Sequence, residues 1–150
     1  ANKGGITIEQ SIDSLKKFKG VKRRMDLVAD ISNIKVFDDF AHHPTAIKMS
    51  SNSIKDKYPN KKILGIVELG SNTMSSGYYK DNLIESFKIL DKTLLLDRNN
   101  VYDYLNRFES EEKMLDCIRT EISEYDIILV MTNKDSQKFI KPILDSLEKK

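Results

Sequence analysis

Cysteine, tryptophan, glycine and proline are scarce in this chain of 150 residues, which holds one cysteine, no tryptophan, six glycines and three prolines. One cysteine excludes an internal disulfide. Cys117 lies in Met114-Leu115-Asp116-Cys117-Ile118, where apolar spacing is helical, so it reads as a core-facing inert thiol rather than a nucleophile. Only three glycines follow Gly20, and neither G-x-x-x-x-G-K-[ST] nor G-x-G-x-x-G occurs, so nothing in the chain is equipped to cradle a triphosphate. No apolar run approaches the ~20 residues of a spanning helix. The start Ala1-Asn2-Lys3 lacks the shape of a signal peptide, and a cytoplasmic location is expected. Excess charge of one sign is missing too: 25 Lys and Arg against 23 Asp and Glu give a net charge of +2, which creates no strong field towards nucleic acid or membrane.

The length suits one domain over residues 1–150, and the absence of an initial methionine suggests processing or a fragment. Thr7 and Gln10 form a capping box, and Ile8, Ile12 and Leu15 repeat at helical spacing until Gly20. Met25 to Ile31 and Ile34 to Phe40 read as strands joined by a tight Ser32-Asn33 turn, a possible hairpin. A helix is expected from Pro44 to about Tyr58, and a buried parallel strand from Lys62 to Glu68. A polar loop over Gly70 to Gly77 follows, then a helix marked by Tyr79, Leu83, Phe87 and Leu90. Thr93 to Leu96 reads as a strand, Glu111 to Glu124 as a helix, Ile127 to Met131 as a strand and Ser136 to Leu147 as a closing helix. Arg98 to Leu105 carries no assignable pattern. This alternation predicts an α/β, Rossmann-like, mostly parallel sheet with helices on both faces and one antiparallel edge strand.

The densest chemistry is Asp38-Asp39-Phe40-Ala41-His42-His43-Pro44, which holds both histidines of the chain. Apolar residues Ile34 to Phe37 give way to charge, and Pro44 suits a first helical position, so these groups sit on a strand-to-helix turn. Open α/β sheets bind ligands at such mouths. Two readings stand: a carboxylate accepting from ribose hydroxyls, or a solvated loop with a helix-capping aspartate. A structural metal is disfavoured, because adjacent histidines in extended chain face opposite ways. The loops after Phe40, Glu68 and Met131 are expected at one edge of the sheet. They bring together Asp39, His42 and His43; Ser71, Asn72 and Thr73; and Thr132, Asn133 and Lys134.

The string from Val36 through Thr45-Ala46-Ile47 resembles a signature of the C-terminal domain of the Mur ligases, ATP-dependent enzymes that join amino acids or peptides to UDP-N-acetylmuramic acid. Phe18 to Arg24 is similar to the family's entry into that domain, and the likeness extends to Met131-Thr132-Asn133. The missing phosphate loop fits, since in this family it belongs to a central ATPase domain. The resemblance implies that Asp39 meets the ribose of ATP and that His42 and His43 face the nucleotide and the central domain. It places Ser71, Asn72, Thr73 and Asn133 on the substrate side. No catalytic residue and no metal ligand is expected here: ATP and Mg2+ would be held mainly by domains outside this chain, and this domain alone would be inactive. With Ser71-Asn72-Thr73-Met74, the signature is most similar to the branch acting on the murein tripeptide L-alanyl-γ-D-glutamyl-meso-diaminopimelate, and next to the branch acting on L-alanine. The partners implied are UDP-N-acetylmuramate, the tripeptide, and N-terminal and central domains of the same enzyme. Gly70 stands where the family commonly has arginine, and Lys134 where the tripeptide branch is often glycine-rich, so an arginine restored at position 70 is expected to favour the tripeptide. A free-standing, non-catalytic nucleotide-binding α/β module is the alternative.

Overall fold

The computed structural model describes residues 4–17 and 22–149. Thr7 and Gln10 cap the first helix reciprocally, each backbone N–H donating to the other's side-chain oxygen at 3.0 and 3.2 Å, and α1 runs Ile8–Lys17. The apolar residues that repeat along it are exposed, Ile8 by 64% and Ile12 by 45%. Helical spacing states only that apolar residues share a face, and among the described residues nothing buries Ile8 or Ile12. The side chain of Leu15, the stop at Gly20 and most of the entry motif from Phe18 lie outside the described residues.

Ser32 and Asn33 both adopt left-handed backbone, with φ of 53° and 65°, the requirement of a two-residue turn that matches strand twist. They join β1 (Asp26–Ile31) to β2 (Ile34–Asp39) as an antiparallel hairpin with Ile31 opposite Ile34. Pro44 then opens α2 (Pro44–Lys57) behind an extended His43. The remaining elements are β3 (Ile63–Glu68), the single turn α3 (Asn72–Ser75), α4 (Lys80–Phe87), β4 (Lys92–Leu96), β5 (Arg107–Phe108), α5 (Glu111–Glu121), β6 (Ile127–Met131) and α6 (Gln137–Glu148). The polar loop expected after β3 thus contains a helical turn. The segment beyond Arg98 ends in a two-residue strand too short to leave a period, and the last turn expected of α5 is a 3-10 turn at Ile122–Glu124. No described helix is long and apolar enough to cross a membrane.

The sheet order is β1-β2-β6-β3-β4-β5, antiparallel only between β1 and β2, which is the mostly parallel architecture with one antiparallel edge. Strand alternation divides the apolar runs between two cores. Val36, Leu64, Ile66, Leu94, Ile128 and Val130 face α5 and α6. Phe37, Ile63, Val67, Leu95, Leu129 and Met131 face α2 and α4. Gly65 lies on the second face, where an added Cβ would stand 2.5 Å from Leu90 Cδ1 and 3.2 Å from Thr93 Oγ1. Gly65→Ala is therefore expected to lower stability by about 1–3 kcal/mol through overpacking, read as a fall in the urea midpoint. An unchanged midpoint would show that the Leu90 side chain gives way freely.

The last strand in sequence, β6, lies between β2 and β3 and runs parallel to both. That insertion brings the loops after β2, β6 and β3 side by side at the carboxyl edge.

Candidate functional site

Consecutive residues of a strand point to opposite faces, and the two signature carboxylates part accordingly. Asp38 turns towards α6, where its oxygens accept from Arg23 Nε at 3.2 Å and Ser136 Oγ at 2.8 Å. Asp39 turns towards α2 and is only 4% exposed. It accepts from the backbone N–H groups of Met25 at 2.8 Å and Ala41 at 2.7 Å, and from Ser50 Oγ at 3.1 Å. A carboxylate offers about four lone-pair sites, so one is left for a ligand. A grip on both ribose hydroxyls, as the turn suggested, exceeds that capacity in this geometry. Asp39 nonetheless lines a cavity of about 290 Å³ shared with Arg24, Met25, Ala46, Met49 and Ser50. Arg24 had no assigned role in the sequence; its place in the entry motif was the available signal.

The histidines do not converge on that cavity. His42 Nδ1 lies 2.8 Å from the Phe40 carbonyl oxygen, and its ring meets Phe40 and His43 edge to face. A carbonyl oxygen only accepts, so Nδ1 is the donor in this contact. His43 Nδ1 accepts the Ala46 N–H at 3.5 Å as the cap of α2. Its outer side borders a second cavity, of about 400 Å³, with Thr45, Lys48, Tyr79, Asn82 and Glu85. Asp39 and His43 thus look onto different faces of α2.

On the other core face, the buried Glu68 closes β3 and accepts from Thr132 Oγ1 at 2.8 Å, Arg98 Nη1 at 2.8 Å and Lys138 Nζ. Burial pushes its carboxyl up, but the hydrogen bonds from Lys138, Arg98 and Thr132 together outweigh that and hold it below its ordinary value. Glu111 stands behind, 3.3 Å from both Arg98 Nη2 and Lys138 Nζ. Thr132 Oγ1 also accepts the Lys134 N–H at 3.0 Å, which ties the loop after β6 to the end of β3.

Ser71 caps α3, its hydroxyl oxygen accepting the Met74 N–H at 3.3 Å, while Asn72 and Thr73 are exposed. Asn133 is half-buried, and its Oδ1 is buried without a hydrogen-bond partner among the described residues. A Cβ added at Gly70 would stand 2.0 Å from that oxygen, 2.7 Å from Lys134 Cγ and 2.9 Å from Lys134 Cε. The aliphatic stem of Lys134 therefore occupies the space over Gly70. An arginine placed at position 70 would have to displace the Asn133 and Lys134 side chains. The two departures from the family pattern form one packed unit. Among the described residues no group of three or more His, Cys, Asp or Glu side chains is arranged to hold a metal.

A mouth with a carboxylate-floored cavity beside three adjoining polar loops is the setting in which the comparisons with known proteins fall. The family model of the Mur ligase glutamate ligase domain matches residues 23–134. The chain is 31% identical over 162 residues to the UDP-N-acetylmuramate–L-alanyl-γ-D-glutamyl-meso-2,6-diaminoheptandioate ligase of Haemophilus influenzae, covering 100% of this chain and 36% of that protein. It is 30% identical over 165 residues to the UDP-N-acetylmuramate–L-alanine ligase of Aquifex aeolicus, covering 97% and 36%. Among solved structures, a murein peptide ligase from Psychrobacter arcticus superposes with a TM-score of 0.75 at 30% identity, over 92% of this chain and 32% of that one. The chain thus spans about a third of the length of the curated relatives it matches. With a family match over most of its length and the expected sheet beneath it, this chain belongs to the Mur ligases, a family of ATP-dependent ligases, as their C-terminal glutamate ligase domain.

Proposed function

We propose that this domain is the lid and substrate-side domain of a ligase that joins L-alanyl-γ-D-glutamyl-meso-diaminopimelate to UDP-N-acetylmuramate. The observation that carries the reading is the alignment of three loops at one edge, with the Asp39 cavity on one flank and the Ser71–Thr73 and Asn133 loops on the other. In the reaction, ATP transfers its γ-phosphoryl group to the lactyl carboxylate of the sugar, and ADP leaves as the β–γ anhydride bond breaks. The free amine of the tripeptide then attacks the acyl phosphate, forming the amide and releasing phosphate. Charge gathers first on phosphoryl oxygens and then on a tetrahedral carbon, so positioning and electrostatics govern the rate. Closure of a domain over this chemistry excludes the water that would hydrolyse the acyl phosphate.

In this scheme the Asp39 carboxylate accepts one ribose hydroxyl through its remaining lone pair, with Arg24 beside it in the same cavity. His42, on the turn that follows Asp39, faces the nucleotide, and His43, bordering the cavity on the other face of α2, faces the central domain. The exposed Asn72 and Thr73 side chains meet polar groups of the peptide. Asn133 Oδ1 supplies an acceptor for which the described residues offer no donor. The carboxylates here do not fit a magnesium ion, because among the described residues no three of them converge on one point and those of Asp38 and Glu68 are taken up by N–H and O–H donors. The metal that accompanies ATP belongs to the other domains, and the isolated domain forms no product.

Two relatives of similar identity act on different amines, so L-alanine is the second reading, supported by the Aquifex aeolicus enzyme. The ratio of kcat/KM for tripeptide to that for L-alanine, measured on the full-length protein, separates them. The tripeptide should win by a large factor, since each polar group left unpaired by the smaller amine costs on the order of 1–3 kcal/mol. A ratio favouring alanine would transfer the protein to the other branch.

A further inference from the structure

We propose that Arg23 is a positioning residue that sets the loop between β6 and α6, and with it Asn133 and Lys134, against the Gly70–Ser71 turn; the inference rests on the substrate role proposed for that loop. Arg23 is the first residue of the family match, at the point where the chain enters the sheet. Its backbone is left-handed at φ 59°, a conformation disfavoured for a non-glycine residue. Two contacts hold it there: its N–H donates to Asp26 Oδ2 at 2.6 Å, and its carbonyl accepts the Phe40 N–H at 2.9 Å.

From that anchor the guanidinium spans the mouth. Nε donates to Asp38, Nη2 to the Thr132 carbonyl at 2.6 Å and Nη1 to the Lys134 carbonyl at 2.8 Å, while the group lies 5.3 Å over the Phe40 ring. The two carbonyls bracket Asn133. Beyond the end of a strand such carbonyls lack ladder partners, and a planar fork with several fixed donors satisfies both at once, which an ammonium cannot do with the same geometry. Ser136 Oγ, donating to the other oxygen of Asp38, closes the circuit at the start of α6.

The loop has little slack at its tip. Asn133 Oδ1 and the Lys134 stem fill the space over Gly70. A shift of the carbonyls on either side therefore moves both side chains relative to Ser71. Arg23 thereby couples the segment through which the chain enters this domain to the loop that meets the amine substrate.

Arg23→Ala and Arg23→Lys in the full-length protein test this. Both should raise the KM for the incoming amine by about ten- to a hundredfold, the effect of an ångström-scale misplacement, with the KM for UDP-N-acetylmuramate unchanged. A fall in kcat alone with every KM unchanged would indicate a merely structural role and overturn the proposal. Recovery of the normal amine KM in Arg23→Lys would also overturn it, because charge alone would then suffice. Amide hydrogen exchange in this 150-residue chain supplies a readout independent of the reaction. Arg23→Ala should speed exchange at residues 132–136 and leave the core of α2 as it was. Unchanged exchange at the loop refutes the coupling whichever amine the ligase takes, whereas inactivity towards both amines with accelerated exchange refutes only the function on which it rests.

Discussion

Replacing Asp39 with alanine is expected to lower the stability of the domain by about 3 kcal/mol and, in the full-length protein, to raise the KM for ATP about ten- to a hundredfold. The first effect follows from burial. The Met25 and Ala41 N–H groups both donate to this carboxylate, and each buried donor left unsatisfied costs roughly 1–3 kcal/mol. Met25 is additionally held at φ 53°, so loss of its acceptor releases a strained entry segment. The second effect follows from the one lone pair still free in the cavity, since a hydrogen bond to a charged group contributes about 1.5–3 kcal/mol. Urea unfolding of this chain reads the first, and steady-state kinetics with ATP and amine varied separately read the second. A destabilised variant whose ATP dependence is normal would leave Asp39 as the bolt of the entry segment and remove it from the nucleotide site.

The other large effect is expected at Glu68. Glu68→Ala removes the acceptor shared by Arg98, Lys138 and the buried Thr132 hydroxyl, and should cost about 3 kcal/mol, the lower end for breaking a buried pair because Arg98 is half-exposed and rehydrates. The pH dependence has a definite sign. The folded carboxyl titrates below its ordinary value of 4.5, so the stability it contributes is fully present above that value and is lost as pH falls through the lower folded one. Thermal unfolding of the wild-type chain between pH 7 and pH 3 should therefore show a loss below about 4.5 that Glu68→Gln shows less steeply. Equal slopes in the two proteins would mean that Glu68 is not the charged partner drawn here.

The strands with strong patterns were legible from end to end. β2, β3 and β6 stand within one residue of where β-branched and apolar runs placed them, because each contributes apolar side chains to both cores. The turn at Ser32-Asn33 and the start of α2 at Pro44 were legible through local backbone chemistry. β5 was not, since two residues carry no period, and its pairing with β4 arises from chain brought back by the loop after Asp97. The exposed stripe of α1 shows the converse limit, because amphipathicity names a face without naming what covers it. At the candidate site, the sequence singled out Asp39, His42 and His43 on their turn, but gave no sign of the Ser50 and Arg24 side chains that the fold brings beside Asp39.

By itself the sequence determined the class of the fold, the turn that holds the signature and the family, for these depend on residue types at fixed spacing along the chain. Only the tertiary structure decided that β6 inserts between β2 and β3, which donors Asp38 and Asp39 meet, and that Arg23 reaches Thr132, 109 residues away in the chain. It alone showed that Lys134 fills the space over Gly70. The physical reason is common to all of these. Local spacing sets φ, ψ and the direction of a side chain relative to its own element, whereas hydrogen-bond partners and free volume are set by whichever distant elements the buried sheet brings alongside.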